Sequence, residues 1–160
     1  VSGEANKIVG VPYFQNAVRK LKPHFSNISI EVQPLLEEEY KLLHEEGVHS
    51  VLVYQETYHQ DVYREYHPKG KKSNFHFRLE TPDRVGRAGI HKIGLGVLLG
   101  LEDWRVDSFF NALHIDYLQK QYWKSKFSVS FPRLRPAERH LSANRETLGA
   151  RNGDFWRRSH

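Results

Sequence analysis

Three polar residues, Gln55, Glu56 and Thr57, directly follow a run of four apolar residues at 51–54. The run is rich in β-branched and aromatic side chains, which is typical of a buried strand. An amide, a carboxylate and a hydroxyl at the carboxyl end of a parallel strand are placed where α/β proteins bind ligands. We therefore predict that this segment is the centre of a binding site. The alternative is a strand that runs into an ordinary solvated loop.

The same arrangement recurs at the other predicted strand ends. The polar candidates are Gly3 and Glu4, then Gln33, then Gln55 to Thr57, then Gly100 with Glu102 and Asp103, and finally Ser130 with Arg133 and Arg135. Each of these residues, taken alone, is better explained as structural. Because a parallel sheet aligns such ends along one edge, their repetition predicts one shared pocket.

The elements that must position these residues alternate between strand and helix patterns. Strands are predicted at 28–33, 50–55, 92–101 and 127–131, with a strand remnant at 1–4. Helices are predicted from Pro12 to before Pro23, at 35–46, at 59–66, from a Thr81 cap to before Gly89, and at 103–124. This alternation predicts a parallel sheet with outer helices. A complete (β/α) barrel needs eight units and about 250 residues, so the chain is expected to form a partial barrel of the TIM type. The alternative is an open, doubly wound sheet that is complete as it stands.

The helix predicted at 103–124 is the longest, and its apolar residues have helical spacing. Val106, Phe109, Phe110, Leu113 and Tyr117 line one face. A face of this kind is typical of an amphipathic helix that packs on a core.

Other ligand chemistries are less well supported. His59, His67 and His76 lie in one region, but their irregular spacing does not match a metal site, so no metal ligand is predicted. Residues 94–100, GLGVLLG, lack the G-x-G-x-x-G spacing of a dinucleotide loop. The KGKK run at 69–72 could bind phosphate or RNA, but a solvated loop is the better explanation.

Composition bounds the class of protein. The chain has 160 residues, a net charge of +5, no cysteine and no methionine. A chain of this length forms about one domain. With no cysteine it offers no disulfide, no thiolate nucleophile and no cysteine-bound metal. The absence of methionine suggests a fragment or a processed chain. No run approaches a membrane span and no leader is recognisable, so the expected location is cytoplasmic, with no membrane partner.

Several runs together resemble one known family. They are VYQETYH at 53–59, HPKGKK at 67–72, RLETPDR at 78–84, AGIHKIGLGVLLGLEDWR at 88–105 and SVSFPRLRPA at 128–137. These runs are similar to the radical S-adenosylmethionine tyrosine lyases. The segments RLETPDR and FPRLRP resemble the ThiH branch, the 2-iminoacetate synthases of thiamine biosynthesis, more than its relatives. HydG, the tyrosine lyase of hydrogenase maturation, is the close relative, and a small α/β module that binds phosphate or RNA is the alternative from another class.

The resemblance implies a specific chemistry. Three cysteines of a C-x3-C-x2-C loop hold a 4Fe-4S cluster that binds S-adenosylmethionine, and reductive cleavage yields a 5′-deoxyadenosyl radical. The radical abstracts hydrogen from tyrosine, and the Cα–Cβ bond breaks to give p-cresol and dehydroglycine (2-iminoacetate). Implied partners are a reductant such as flavodoxin or ferredoxin, and the thiazole synthase that uses dehydroglycine; no nucleic acid is implied.

The resemblance also implies roles for residues of this chain. Gly3 and Glu4 match the motif after the second barrel strand, whose carboxylate meets the methionyl amine of the cofactor. The remaining implied S-adenosylmethionine contacts are Gln55, Glu56 and Thr57, then Arg78 at the cofactor carboxylate, and Gly96 and Gly100 in an adenine-contacting segment. Ser130 and Arg133 fall where the carboxylate of tyrosine is expected.

Two features depart from the family pattern. The cluster cysteines are absent and would precede Val1 in a complete enzyme, so this chain alone is expected to be inactive. The pattern is also lost after Ala137. We therefore predict a partial radical S-adenosylmethionine barrel at 1–137, comprising about strands two to six, and an atypical polar tail at 138–160.

Overall fold

The chain folds around a four-stranded parallel sheet. A computed structural model describes residues 9–135, except for the side chain of Lys71. In chain order the strands are β1 (Ile28–Glu31), β2 (Val48–Leu52), β3 (Lys92–Gly96) and β4 (Lys126–Ser130). They lie in the sheet in that same order, and each neighbouring pair is parallel. The predicted parallel α/β sheet is therefore confirmed.

Six α-helices accompany the strands in the described part of the chain. They are α1 (Val11–Leu21), α2 (Glu37–Glu46), α3 (Gln60–Tyr66), α4 (Phe75–Leu79), α5 (Thr81–Arg87) and α6 (Trp104–Gln121). Pro12 lies in the first turn of α1, where its missing N–H costs nothing. Gly47 ends α2 with φ 119°, a conformation that favours glycine. None of the described helices combines the length and the apolarity needed to cross a membrane.

The apolar core lies between the sheet and its helices. Its buried members include Val51 and Val53, Ile93 and Leu95 from the sheet, and Phe14, Val18, Leu43, Val85 and Leu118 from the helices. On the other face of the sheet, the side chains of Leu52 and Tyr54 lie against Gly94 and Gly96. Burial on the helix-covered side thus fixes the register of the strands, and with it the height at which each strand ends.

Several predicted strand boundaries were wrong. The strand predicted at 50–55 begins at Val48 instead, because the chain enters the sheet immediately after Gly47 ends α2. It ends at Leu52, although the Val53 amide still donates to the Gly94 carbonyl at 3.1 Å. The strand predicted at 92–101 ends at Gly96, since the chain turns there and reaches φ 110° at Gly100. Strands β1 and β4 also differ from the predicted 28–33 and 127–131 at their ends.

The region between β2 and β3 contains a helix that the sequence did not predict. Helix α4 begins after Asn74, whose side chain accepts a hydrogen bond from the Phe77 amide at 3.0 Å. Thr81, predicted as a helix cap, is instead the first residue of α5. Its hydroxyl donates to the Phe77 carbonyl at 2.9 Å, because α4 lies directly in front of α5 and leaves that carbonyl available.

Helix α6 is the main correction to the predicted packing. The five residues of its apolar stripe are exposed, with Phe109 at 59% and Phe110 at 46%. The buried positions are instead Asp107, Asn111 and Leu118. Two of these three are polar because α6 covers the polar loop after β2, where it meets hydrogen-bonding groups rather than an apolar core.

Candidate functional site

The loop after β2 is anchored from two sides. The Gln55 amide donates to the Gly96 carbonyl at 2.9 Å, and the Leu98 amide donates to the Glu56 carbonyl at 2.7 Å. Thr57 is completely buried, and its hydroxyl donates to the Asp107 carboxylate at 3.0 Å. Backbone and side-chain bonds therefore hold this loop against both β3 and α6.

Asp107 receives a second hydrogen bond, from the Tyr58 amide at 2.8 Å. Burial raises the pKa of this carboxyl group, while the bonds from Tyr58 and Thr57 oppose that rise. Asp107 lies in the first turn of α6, where the helix dipole favours a negative charge. Its partners identify it as a residue that positions the loop.

Glu56 has an unusual backbone conformation at the centre of this loop. Its φ is +74°, a left-handed conformation that a residue with a Cβ adopts at a cost of about 1 kcal/mol or more. Glu56 is the one non-glycine residue with positive φ in the described part of the chain. Strain of this kind persists only where the surrounding structure imposes it, and it is concentrated at functional sites.

The Glu56 side chain lies between a histidine and an arginine. His67 Nε2 lies 2.5 Å from Glu56 Oε2, and Arg78 Nη1 lies 3.7 Å from Glu56 Oε1. Arg78 is 8% exposed, and its Nη1 donates to the Tyr54 carbonyl at 2.7 Å. The ring of Tyr63 packs on His67, with centroids 4.7 Å apart. These residues bring a carboxylate and a guanidinium together at the carboxyl edge of the sheet.

Three buried polar atoms have no hydrogen-bond partner within the described residues. They are Gln33 Oε1 after β1, Gln55 Oε1 after β2, and Nε of Arg78. Leaving a buried donor or acceptor without a partner costs about 1–3 kcal/mol. The loops after two adjacent strands therefore contain two acceptors, and α4 contains one donor, that have no partner within the described residues.

The adjoining edge of the sheet contains the other predicted residues. Gly96 pairs with Ser130, and a Cβ on Gly96 would collide with the Ser130 carbonyl oxygen, so this position requires glycine. Beyond β4, Arg133 forms an isolated parallel bridge with Leu99. Ser130, Arg133 and Gly96 thus lie at the carboxyl end of β3 and β4, while Gly100 lies in the turn after β3.

The structure brings some predicted site residues together and leaves others apart. Glu56 and Arg78 share one ion-pair cluster, whereas Thr57 is turned into the α6 interface. Gly3 and Glu4 lie outside the described residues. No group of three or more histidine, aspartate or glutamate side chains within residues 9–135 is arranged to hold a metal ion.

Two contributors, His67 and Asp107, were not predicted as site residues. His67 opens a run that was interpreted as a solvated loop. Asp107 had a detectable signal, since Asp107, Asn111, His114 and Leu118 recur at helical spacing as a second face of α6.

A separate groove lies on the helix side, between α4, α5 and α6. It has a volume of about 370 Å³ and is lined by Tyr58, Leu79, Glu80, Asp83, Phe110, Leu113, His114 and Tyr117. The Tyr58 hydroxyl lies 3.2 Å from Asn111 Oδ1 and 2.9 Å from His114 Nδ1. Burial lowers the pKa of His114, which favours its neutral form. This groove is distinct from the carboxyl edge that the strands define.

Comparison with known proteins identifies relatives of the chain. No protein-family model matches it. It is 56% identical over 137 residues to a 2-iminoacetate synthase from Escherichia coli (strain K12), covering 85% of this chain and 36% of that protein. A 2-iminoacetate synthase from Salmonella typhimurium (strain LT2) is 54% identical over the same length and with the same coverage.

Solved structures give the same picture of the fold. A crystal structure of HydG, a maturase of the [FeFe]-hydrogenase, matches 86% of this chain with a TM-score of 0.80 and 29% identity, and the match covers 32% of that chain. HydG from Carboxydothermus hydrogenoformans matches 84% of this chain and 32% of its own, with a TM-score of 0.77 and 32% identity. Methylornithine synthase (PylB) covers 76% of this chain and 35% of its own, with a TM-score of 0.55; at 18% identity this shows the fold alone.

The chain spans about a third of the length of the relatives and solved structures that it matches. Within that span, the predicted partial barrel is confirmed. The resemblance to the 2-iminoacetate synthases, with HydG as the structural neighbour, is therefore established for this part of the barrel.

Proposed function

We propose that this chain is part of a 2-iminoacetate synthase, a tyrosine lyase that breaks the Cα–Cβ bond of tyrosine to give 2-iminoacetate and p-cresol for thiamine biosynthesis. The observation that carries the proposal is the 56% identity over 137 residues, which include the Glu56 and Arg78 pair. The lower identity to the HydG structures, 29% and 32%, favours this activity over that of a hydrogenase maturase. The complete enzyme would act in the cytoplasm, with flavodoxin or ferredoxin as reductant and thiazole synthase as the acceptor of 2-iminoacetate.

The carboxyl edge fits the amino-acid part of S-adenosylmethionine. Arg78 offers a buried guanidinium with an unpartnered Nε for a carboxylate, and Gln55 Oε1 is an unpartnered acceptor for an ammonium or a ribose hydroxyl. Gly96 lets β3 and β4 approach each other closely at the edge where the resemblance places the adenine. When bound to a reduced 4Fe-4S cluster, S-adenosylmethionine supplies the radical that starts the reaction. This chain's residues would bind and orient the cofactor, with Gly3 and Glu4 contributing from outside the described residues and Thr57 and Gly100 supporting the loops.

Tyrosine would lie beside the cofactor along the same edge. Ser130 is the last residue of β4 and pairs with Gly96 at the end of β3, and Arg133 follows three residues later, so both can meet a carboxylate held at the rim. A guanidinium gives a carboxylate two parallel hydrogen bonds, which fixes its orientation as well as its position. We assign these two residues to the tyrosine carboxylate.

Arg78→Lys tests the cofactor assignment. S-adenosylhomocysteine, which has the same amino-acid part, should bind this variant about tenfold more weakly, because lysine loses the two-pronged grip and the loss corresponds to ~1.4 kcal/mol. Isothermal titration calorimetry on the 160-residue chain measures the affinity for S-adenosylhomocysteine.

Arg19→Lys is the matched control, since Arg19 lies on α1 and pairs with Glu46 in an exposed ion pair. The Arg19→Lys variant should bind S-adenosylhomocysteine with the affinity of the wild type. An Arg78→Lys chain with wild-type affinity, or with an equal loss for 5′-methylthioadenosine, which has no carboxylate, contradicts the assignment.

Iron–sulfur reconstitution gives a second expected result. The 160 residues contain no cysteine, so they offer none of the thiolates that hold such clusters. Anaerobic incubation with iron and sulfide, followed by desalting, should leave no stoichiometric iron and no cluster absorbance. A stable 4Fe-4S spectrum on this chain would refute the expectation and point to other ligands.

A further inference from the structure

The His67 imidazole contacts the Glu56 carboxylate beside Arg78 in the candidate cofactor site. Glu56 is the carboxylate nearest to the Arg78 guanidinium among the ion pairs of the described residues, yet it lies 3.7 Å from Arg78 and 2.5 Å from His67. A carboxylate that closed on the guanidinium with two hydrogen bonds would satisfy Arg78 internally. In the structure the Glu56 carboxylate contacts His67 instead.

The surroundings hold His67 in place. The Tyr63 ring packs against it, and the Tyr63 hydroxyl donates to the Lys72 carbonyl at 2.6 Å. His67 and Lys72 are the two ends of the HPKGKK run, so Tyr63 fastens both ends of that run beside the site. The His67 and Glu56 side chains are each less than a fifth exposed, which limits competition from water.

The strain at Glu56 supports the same interpretation. The left-handed backbone conformation of Glu56 sets the direction of its side chain. The Leu98 amide holds that backbone in place by donating to the Glu56 carbonyl at 2.7 Å. The hydrogen bond from Leu98 fixes the backbone of Glu56, and the His67 imidazole fixes its carboxylate. Arg78 retains an unpartnered Nε in this arrangement.

From these contacts we propose that His67 is a positioning residue that draws the Glu56 carboxylate away from Arg78 and so keeps the guanidinium available for the carboxylate of an amino-acid ligand. The inference rests on the proposed function for the identity of that ligand. It assigns the HPKGKK run a role in the site in place of the solvated loop predicted from the sequence.

His67→Phe tests this role, because phenylalanine keeps the packing on Tyr63 and removes the ring N–H. Glu56 can then close on Arg78, and binding of S-adenosylhomocysteine should weaken about fivefold or more, the range of a competing charged hydrogen bond. Binding of 5′-methylthioadenosine should be unchanged, since it carries no carboxylate. Calorimetry on the 160-residue chain measures both ligands.

The double variant His67→Phe with Glu56→Gln separates positioning from damage. The neutral amide does not compete for Arg78, so S-adenosylhomocysteine should bind the double variant more tightly than it binds His67→Phe if charge competition is the cause. No loss in His67→Phe, an equal loss for both ligands, or no recovery in the double variant overturns the inference.

A ligand-free measurement keeps this inference distinct from the proposed function. In the wild type the hydrogen-bonded ring N–H of His67 should give a resolved ¹⁵N–¹H NMR signal, which Glu56→Ala should remove. If neither nucleoside binds the wild-type chain, the proposed cofactor site fails, and loss of this signal still supports the His67 contact. A signal that is absent in the wild type or unchanged in Glu56→Ala overturns it.

Discussion

Gly96→Ala is expected to destabilise the chain by about 3 kcal/mol, the upper range for overpacking a closely packed interior. An added Cβ would lie 2.8 Å from Tyr54 Cδ1 and closer still to the Ser130 carbonyl oxygen. The Ser130 carbonyl cannot move alone, because it also accepts a hydrogen bond from the Val97 amide at 3.3 Å. Urea unfolding, monitored by far-ultraviolet circular dichroism, measures the free energy of unfolding.

Gly94→Ala is the matched control on the same strand and the same face. Its added Cβ would meet side-chain atoms, with Leu52 Cγ at 2.8 Å and Leu52 Cβ at 3.2 Å, whereas at Gly96 it would meet a backbone carbonyl. We expect a clearly smaller loss of stability at Gly94. Equal losses of stability in the two variants would show that the close approach of β4 is not the reason that position 96 requires glycine.

The fold was predictable where local patterns and burial agree. Alternating strand and helix signals gave the parallel sheet, because buried parallel strands are short apolar runs separated by helices. Boundaries were harder to predict. Gly47 sets the start of β2 by ending α2 in a left-handed conformation, whereas the apolar run at 51–54 suggested a strand placed further along.

Helix α6 shows why packing was not predictable from periodicity alone. Its apolar stripe and its polar stripe have the same helical spacing, and the usual rule buries the apolar one. Here the buried stripe contains Asp107 and Asn111, because the loop after β2 provides the Thr57 hydroxyl and the Tyr58 amide and hydroxyl as partners. Partners about 50 residues away in the chain leave no local signal.

The location of the candidate site at one edge of the sheet was predictable, but the contacts among its side chains were not. Strand ends identified Gln55, Glu56, Ser130 and Arg133, since parallel strands align their carboxyl ends. The contact between His67 and Glu56 depends on how the run after α3 folds back, and on the positive φ of Glu56. Neither follows from the spacing of residues in the sequence.

Arg133 has a backbone position that suits a substrate-binding residue at the rim. The Leu99 amide donates to the Pro132 carbonyl at 2.8 Å, and the Leu134 amide donates to the Leu99 carbonyl at 2.9 Å. These two bonds hold residues 132–134 against the end of β3, while the Arg133 residue is exposed. The fixed φ of Pro132 further limits how the chain can turn before Arg133. The arrangement fixes the position of the Arg133 Cα at the carboxyl edge of the sheet.

In a complete enzyme with this sequence, Arg133→Lys should weaken tyrosine binding by about tenfold or more, because lysine cannot make two parallel hydrogen bonds and a tenfold loss is ~1.4 kcal/mol. Arg133→Ala should weaken it by about a hundredfold, since the charge is lost as well. Formation of p-cresol as a function of tyrosine concentration measures the effect. Affinity for S-adenosylmethionine, measured in parallel, should change little.

The competing explanation is that Arg133 only forms a surface ion pair at the rim, worth under about 1 kcal/mol. In that case both variants would show the wild-type dependence on tyrosine concentration. Arg105→Lys provides the control, because Arg105 is an exposed arginine near the start of α6 with a carboxylate neighbour 3.9 Å away. An unchanged tyrosine dependence in Arg133→Ala, or an equal loss in cofactor affinity, would remove Arg133 from the substrate site and leave Ser130 as the candidate for the carboxylate.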